Sequence, residues 1–213
     1  WEIKLNNEDK KACSYIKGRH FKGLKNVESP EWLKKCLVSI GLKPISSLVD
    51  ITNFITFDIG RPLHVFDAGK LKGNLSIRMA NQGEKFLALD SKNYDLNKSI
   101  LVIADENNPV SIAGVIGGED SSCDENTTEI FIESAYFDPQ NIAVSGRSLN
   151  ILSDARYRFE RGIDPDYVNK GIDIMTELVL DICGGEVSEE EQAGKIELTK
   201  KIIEFNCDKV LQI

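Results

Sequence analysis

SPEWLKKCLVSIGLKPISSLVDITNFITFDIGRPLHVFD, running from Ser29 to Asp67, lays down two helices and places the chain's only plausible reactive histidine just beyond them. Ser29 reads as a capping serine with Pro30 at the first helical position, and Gly41 ends the helix. Within it Leu33, Cys36, Leu37 and Ile40 recur at three- and four-residue steps, which predicts one buried face. From Ile45 to Ile59 the apolar residues Leu48, Ile51, Ile55 and Ile59 keep the same step, and Gly60 is placed to stop a second helix. On that helix Val49 and Asn53 share a face, while Thr52 lies about 100° away from Asn53. Pro62 then forces an extended exit in which His64 can turn back toward the helix end.

Ahead of this stretch, Cys13 to Phe21 reads as a strand. Behind it the helical period vanishes between Leu75 and Phe137. Short β-rich runs take over at Leu75 to Met79, Lys85 to Leu89, Ile100 to Ala104, Val110 to Ile116 and Glu129 to Ser134, punctuated by turn residues such as Asn74, Gly83 and Asn107-Asn108-Pro109. After Asp138-Pro139 the helical pattern returns, longest from Pro165 to Cys183 and stopped by Gly184-Gly185. Glu186 to Glu191 reads as an exposed charged connection, Ile196 to Phe205 as another strand, and Cys207 to Ile213 as the start of a further element. The pattern predicts an α+β fold: a mixed or antiparallel sheet core flanked by helices at both ends, without a regular βαβ alternation.

The chain has 213 residues, 41% of them hydrophobic, enough for a continuous core. Its 34 acidic against 26 basic residues give a net charge of −8, which argues against a module that grips a nucleic-acid backbone by bulk charge. Cys13, Cys36, Cys123, Cys183 and Cys207 are odd in number and widely spaced, with no C-x-x-C pair and two histidines in all. That pattern fits reduced thiols and predicts neither a disulfide frame nor a metal site. No apolar run is long enough to span a bilayer, so no membrane role is expected. Val144-Ser145-Gly146 lacks the G-x-S-x-G arrangement, and the run Ala113 to Gly118 is neither a P-loop nor a dinucleotide fingerprint.

Four ordered segments carry a family resemblance: Gly60-Arg61-Pro62-Leu63-His64-Val65-Phe66-Asp67 with the preceding Thr52-Asn53, Ala113-Gly114-Val115-Ile116-Gly117-Gly118-Glu119, Ile132-Glu133-Ser134-Ala135-Tyr136-Phe137, and Ser153-Asp154-Ala155-Arg156-Tyr157-Arg158-Phe159-Glu160-Arg161-Gly162. Together the chain resembles the B3/B4 module of the bacterial phenylalanyl-tRNA synthetase beta subunit. The resemblance implies a B3/B4-type domain over residues 1–195, B3-like to about 80 and B4-like from about 81, with 196–213 opening an incomplete B5-like domain of a longer parent chain. It implies an editing function, hydrolysis of the ester of tyrosine mischarged on phenylalanine tRNA. The partners implied are that tRNA and the synthetase alpha subunit, reached through the full beta chain, in the cytoplasm. No cofactor is implied for this part, ATP and magnesium belonging to the parent synthetase. The alternative, of a different class, is a non-catalytic scaffold or tRNA-docking module of the same synthetase.

Each candidate residue also has a plain reading. Alone, His64 is a structural imidazole near a helix end; by resemblance it lines the editing pocket and acts on water, as general base or by ordering it. Thr52 and Asn53 alone are helix polar residues; by resemblance they join His64 in the pocket that receives the aminoacyl end. Ala113, Gly114 and Gly117 read as a strand and tight turn, and by resemblance as the amino-acid pocket wall. Glu133 sits in an apolar run where, if Ile132 and Ser134 face one way, it faces with Phe131 and Ala135. It is either a solvent-facing charge or, by resemblance, the acceptor for the phenolic hydroxyl of tyrosine. Ala155 by resemblance leaves room for the ring, and Ser153 stands where the family pattern leads us to expect threonine, as Phe54 and Arg61 stand for tyrosine and glutamine. His20 reads as an ordinary surface residue. Arg147, Arg156, Arg158 and Arg161 form a basic cluster that Asp154, Glu160 and Asp164 are placed to neutralise.

Overall fold

The computed structural model describes residues 3–196 and 202–205. In chain order the elements are β1 (Leu5–Asn7), β2 (Cys13–Lys22), α1 (Glu31–Ser39), α2 (Ser47–Asp58), β3 (His64–Asp67), β4 (Leu75–Met79), β5 (Lys85–Leu87), β6 (Asn93–Asp95), β7 (Leu101–Ala104), β8 (Pro109–Ile112), β9 (Ile116–Gly117), β10 (Glu129–Phe137), α3 (Pro139–Ser148), α4 (Asp154–Phe159), α5 (Tyr167–Ile182) and β11 (Glu186–Gly194). A four-stranded antiparallel sheet runs β11-β2-β10-β3, a five-stranded sheet runs β1-β4-β7-β8-β9, and β5 and β6 form a hairpin. In the larger sheet only β1 and β4 are parallel, so the α+β expectation with mixed and antiparallel pairing holds.

Strand β10 organises the molecule, because both of its faces are buried. Ile130 and Ile132 pack with Val65 and Phe21 against a helical layer supplied by Leu33 and Leu37 of α1, Ile51 and Ile55 of α2, and Ile172, Met175 and Val179 of α5. Phe131, Ala135 and Phe137 turn the other way and join Ile16 and Phe66 against Ile77, Ile103 and Ile112 of the five-stranded sheet. Period-two alternation along one strand thus feeds two cores. Each sheet takes strands from both halves of the chain, β2 and β3 with β10 and β11, β1 and β4 with β7 to β9.

Several local expectations are corrected. Ser29 does not cap α1: Pro30 occupies the cap position, and the Ser29 hydroxyl donates to Asp50 Oδ2 at 2.5 Å while the Ile45 N–H donates to Oδ1 at 2.9 Å. A fully buried carboxylate therefore staples the linker between the helices to the first turn of α2. On α1 Leu33 and Leu37 are buried, but Cys36 and the C-cap residue Ile40 are exposed. The Val110 to Ile116 strand breaks into β8 and β9 around a turn at residues 113–115, where Gly114 has φ +65°.

Residues 186–191 are not a loose connection but the start of β11, paired antiparallel to β2. An edge strand tolerates such charge because one side faces solvent, and Lys17 pairs with Glu190 there at 2.5 Å. His20 is buried within β2, its Nε2 2.8 Å from Glu129, where a surface position was expected. Residues 196 and 202–205 carry no regular structure, and the rest of the expected strand, with Cys207 to Ile213, lies outside the described residues.

Candidate active site

Register brings the site together. Antiparallel pairing sets Glu133 directly opposite His64 of β3 on one side and Gly18 of β2 on the other, so the carboxylate and the imidazole project from the same face of the sheet. That face points into the molecule, toward the five-stranded sheet, and Glu133 is only 5% exposed. The solvent-facing alternative for this charge is thereby excluded. Gly18 opposite it has no side chain because the Phe131 ring occupies that space.

Around the pair lies a cavity of about 60 Å³, its wall formed by His64, Glu133, Gly114, Gly117, Ala155 and Phe159 with Leu63, Phe137 and neighbouring residues. Gly117 makes room for the imidazole: a Cβ there would sit 2.3 Å from His64 Cε1. Gly114 is excluded from carrying a side chain twice over, by its positive φ and by Ile142 and Phe137 at 2.9 and 3.0 Å from a notional Cβ. Its N–H donates to no backbone acceptor among the described residues. Ala113 lies behind this wall, fully buried, with its N–H on the Leu101 carbonyl at 3.0 Å.

Burial governs the electrostatics. His64 Nε2 is closed off from solvent without a hydrogen-bond partner, and its ring meets Phe66 edge-on at 4.4 Å. Desolvation pushes the imidazole down to about 4, so it is neutral at pH 7. The Glu133 carboxyl is pushed up to about 7 by burial, with the Arg61 charge drawing it back. No side-chain hydrogen bond reaches the Glu133 carboxylate among the described residues, which leaves it an open acceptor at the cavity wall.

Ser153 supports the site from outside. Its hydroxyl accepts the Arg156 N–H at 3.0 Å as the cap of α4 and donates to the Val115 carbonyl at 2.5 Å, tying the helix that presents Ala155 to the turn that carries Gly114. The arginine cluster is neutralised largely as expected, Arg156 and Arg161 on Glu160 and Arg158 on Asp154, at 2.8–3.1 Å.

Thr52 and Asn53 stand apart: neither lines the cavity, and the Thr52 hydroxyl donates to the Val49 carbonyl at 2.7 Å within its own helix. The structure adds Arg61, a fully buried cation between α2 and β3 whose sequence signature is only a departure from the family pattern. The available signal was its position, immediately before Pro62 and between two apolar segments.

Comparison with known proteins follows the same lines. The model of a family described as the B3/4 domain matches residues 12–184. The chain is 51% identical over 211 residues to the phenylalanine–tRNA ligase beta subunit of Mesorhizobium japonicum, covering 99% of this chain and 26% of that one. With the subunit of the same name from Brucella abortus it shares 53% over 201 residues, 94% of this chain and 25% of the relative. The chain thus spans about a quarter of the length of these curated relatives. In fold it is similar to an N-terminal fragment of the phenylalanyl-tRNA synthetase beta subunit from Pyrococcus horikoshii, with a TM-score of 0.55 at 15% identity over 100% of this chain and 61% of that one.

Proposed function

The chain belongs to the B3/4 domain family, in the form shared with phenylalanine–tRNA ligase beta subunits, and from that premise we propose that it is an editing domain hydrolysing tyrosine wrongly esterified to phenylalanine tRNA. The single observation that carries the reading is the inward-facing pair: an unbonded carboxylate and a neutral imidazole opposed across β3 and β10 on one cavity.

The chemistry gives such a cavity a purpose. A hydrophobic charging pocket rejects an isostere with one added hydroxyl poorly, whereas a site that hydrogen-bonds the hydroxyl discriminates by about 10⁴–10⁵. Glu133 accepts the phenolic O–H, and phenylalanine offers it nothing. The ring lies against Gly114, Gly117 and Ala155. Water then adds its oxygen to the ester carbonyl carbon, the bond from that carbon to the ribose oxygen breaks, and the ribose oxygen takes a proton. An imidazole held near 4 is a weak base, so in this reading His64 orders the water rather than removing its proton, its buried Nε2 meeting that water once the wall opens. The Gly114 N–H at the cavity wall supplies a donor for the developing oxyanion. Thr52 and Asn53 belong in this reading to the approach of the tRNA end. No cofactor enters the reaction; ATP and magnesium serve charging elsewhere in the synthetase, where the alpha subunit joins through the full beta chain, in the cytoplasm.

One observation favours the rival scaffold reading: about 60 Å³ is less than half of the roughly 150 Å³ known to admit a benzene ring. Editing therefore requires the wall to open. Both readings meet one experiment. In the assembled synthetase Glu133→Ala is expected to slow release of tyrosine from mischarged phenylalanine tRNA at least tenfold while phenylalanine charging continues. Unchanged release would remove Glu133 from the role. A tyrosine titration that shifts no cavity resonance would favour the scaffold.

A further inference from the structure

Arg61 is the largest fully buried side chain among the described residues, 1% exposed. Strand β3 begins at His64, so beyond the His64–Glu133 pair β10 has no partner on that edge, and Pro62 brings no N–H to it. The guanidinium fills the gap. Nε and Nη2 donate to the Ser134 hydroxyl at 3.1 and 2.9 Å, and Nη2 also donates to the Ala135 carbonyl. Gly171 of α5 leaves room for its stem, since a Cβ there would stand 3.1 Å from Arg61 Cγ. Nη1 is buried with no partner, and among the described residues no carboxylate comes within 4 Å of the guanidinium. A buried cation without a contact ion pair, fastened to the two residues that follow Glu133, calls for an explanation beyond packing.

We propose that Arg61 is the positioning residue of the Glu133 carboxylate: its bonds to Ser134 and Ala135 fix the strand that aims it, and its buried charge favours the acceptor form a phenolic hydroxyl needs. The inference rests on the editing reading for the identity of the hydroxyl. Burial lowers Arg61 to about 10, which leaves it charged at neutral pH. Glu133, raised to about 7 by burial, has Arg61 as the charge opposing that rise. The other titratable groups facing Glu133 are the Cys13 thiol of β2, neutral because burial raises it, and His64 of β3, neutral for the same reason. The turn at residues 113–115 and α4 bring no charge to the cavity wall, and Asp164 ahead of α5 acts on Arg61.

The test reads Glu133 directly. In the full chain with 13C-labelled glutamate carboxyls, and with Glu133→Gln to assign the resonance, Arg61→Gln and Arg61→Met should each raise the Glu133 midpoint by about one pH unit or more, the size expected for loss of an opposite charge. Ser134→Ala, which removes a bond and keeps the charge, should leave it within a few tenths. A folded Arg61 variant with an unmoved midpoint overturns the proposal, as does a Ser134→Ala shift equal to that of Arg61→Gln. In tyrosyl-ester hydrolysis the acid limb should move upward with the same variants. Absence of hydrolysis by the assembled wild-type synthetase would sink the editing reading while leaving the titration to judge Arg61.

Discussion

Glu133 and His64 are made unusual by what lies behind them rather than by each other. Each projects from a strand onto the wall of one cavity, with Gly114 and Gly117 in that wall, so burial strips water from its charged form. The glycines are consequently as restrictive as the polar groups. In Gly117→Ala the new methyl would overlap the imidazole, and the ring, already packed on Phe66, has to leave its place. Such overpacking should cost about 1–3 kcal/mol by urea unfolding. In our reading it also lowers tyrosyl-ester hydrolysis at least tenfold, and wild-type hydrolysis in this variant would show that the His64 position is irrelevant to the reaction. At this scale the sequence was informative about identity and less so about geometry. The alternation of Ile132, Glu133 and Ser134 predicts that Glu133 faces with Phe131, and it does. Whether that face met water or protein was open, because alternation states a side without stating what covers it.

Among the elements, α4 is the shortest helix and holds the site wall most directly. It is six residues long, too short to persist by propagation, and depends on its cap and on packing. Ser153 supplies both a cap and a tether to the Val115 carbonyl. Ser153→Ala is expected to cost about 1–2 kcal/mol, while Ser153→Thr, which keeps the hydroxyl, should stay close to wild type. Thermal unfolding checks both, an equal midpoint for wild type and Ser153→Ala being the contrary result. Helices α2 and α5 were legible from apolar spacing and from glycine stops at Gly60 and Gly184. The boundaries of α1 were nearly so, but the role of Ser29 was not, since Asp50 is 21 positions away and competes successfully for the hydroxyl. Strand β11 is not legible in the sequence, because its glutamates resemble a solvated loop until β2 provides a ladder.

At the scale of the molecule the two buried groups oppose one another in the pH dependence of stability. The Glu133 carboxyl stands near 7 in the fold against an ordinary 4.5, so the folded chain holds an extra proton between those values and stability falls as pH rises through them. His64 stands near 4 against an ordinary 6.5, so the unfolded chain holds the extra proton there and stability rises with pH over that range. From about 4.5 to 6.5 the two slopes offset each other. Glu133→Gln should expose the histidine slope alone and gain on the order of 3 kcal/mol relative to wild type between pH 4.5 and 8, measured by urea unfolding. Identical pH profiles would mean that Glu133 is solvated in the fold.

By itself the sequence determined the α+β composition, the two helices before the β-rich middle and the family to which the chain belongs, because periodicity, turn residues and motif order are local and survive without coordinates. Tertiary structure alone decided that β10 is buried on both faces, that Thr52 turns its hydroxyl onto its own helix, and that Arg61, just ahead of β3, bonds to Ser134 and Ala135 of β10. Those outcomes depend on strand register and on which layer covers a face, and both are set by contacts between residues far apart in the chain.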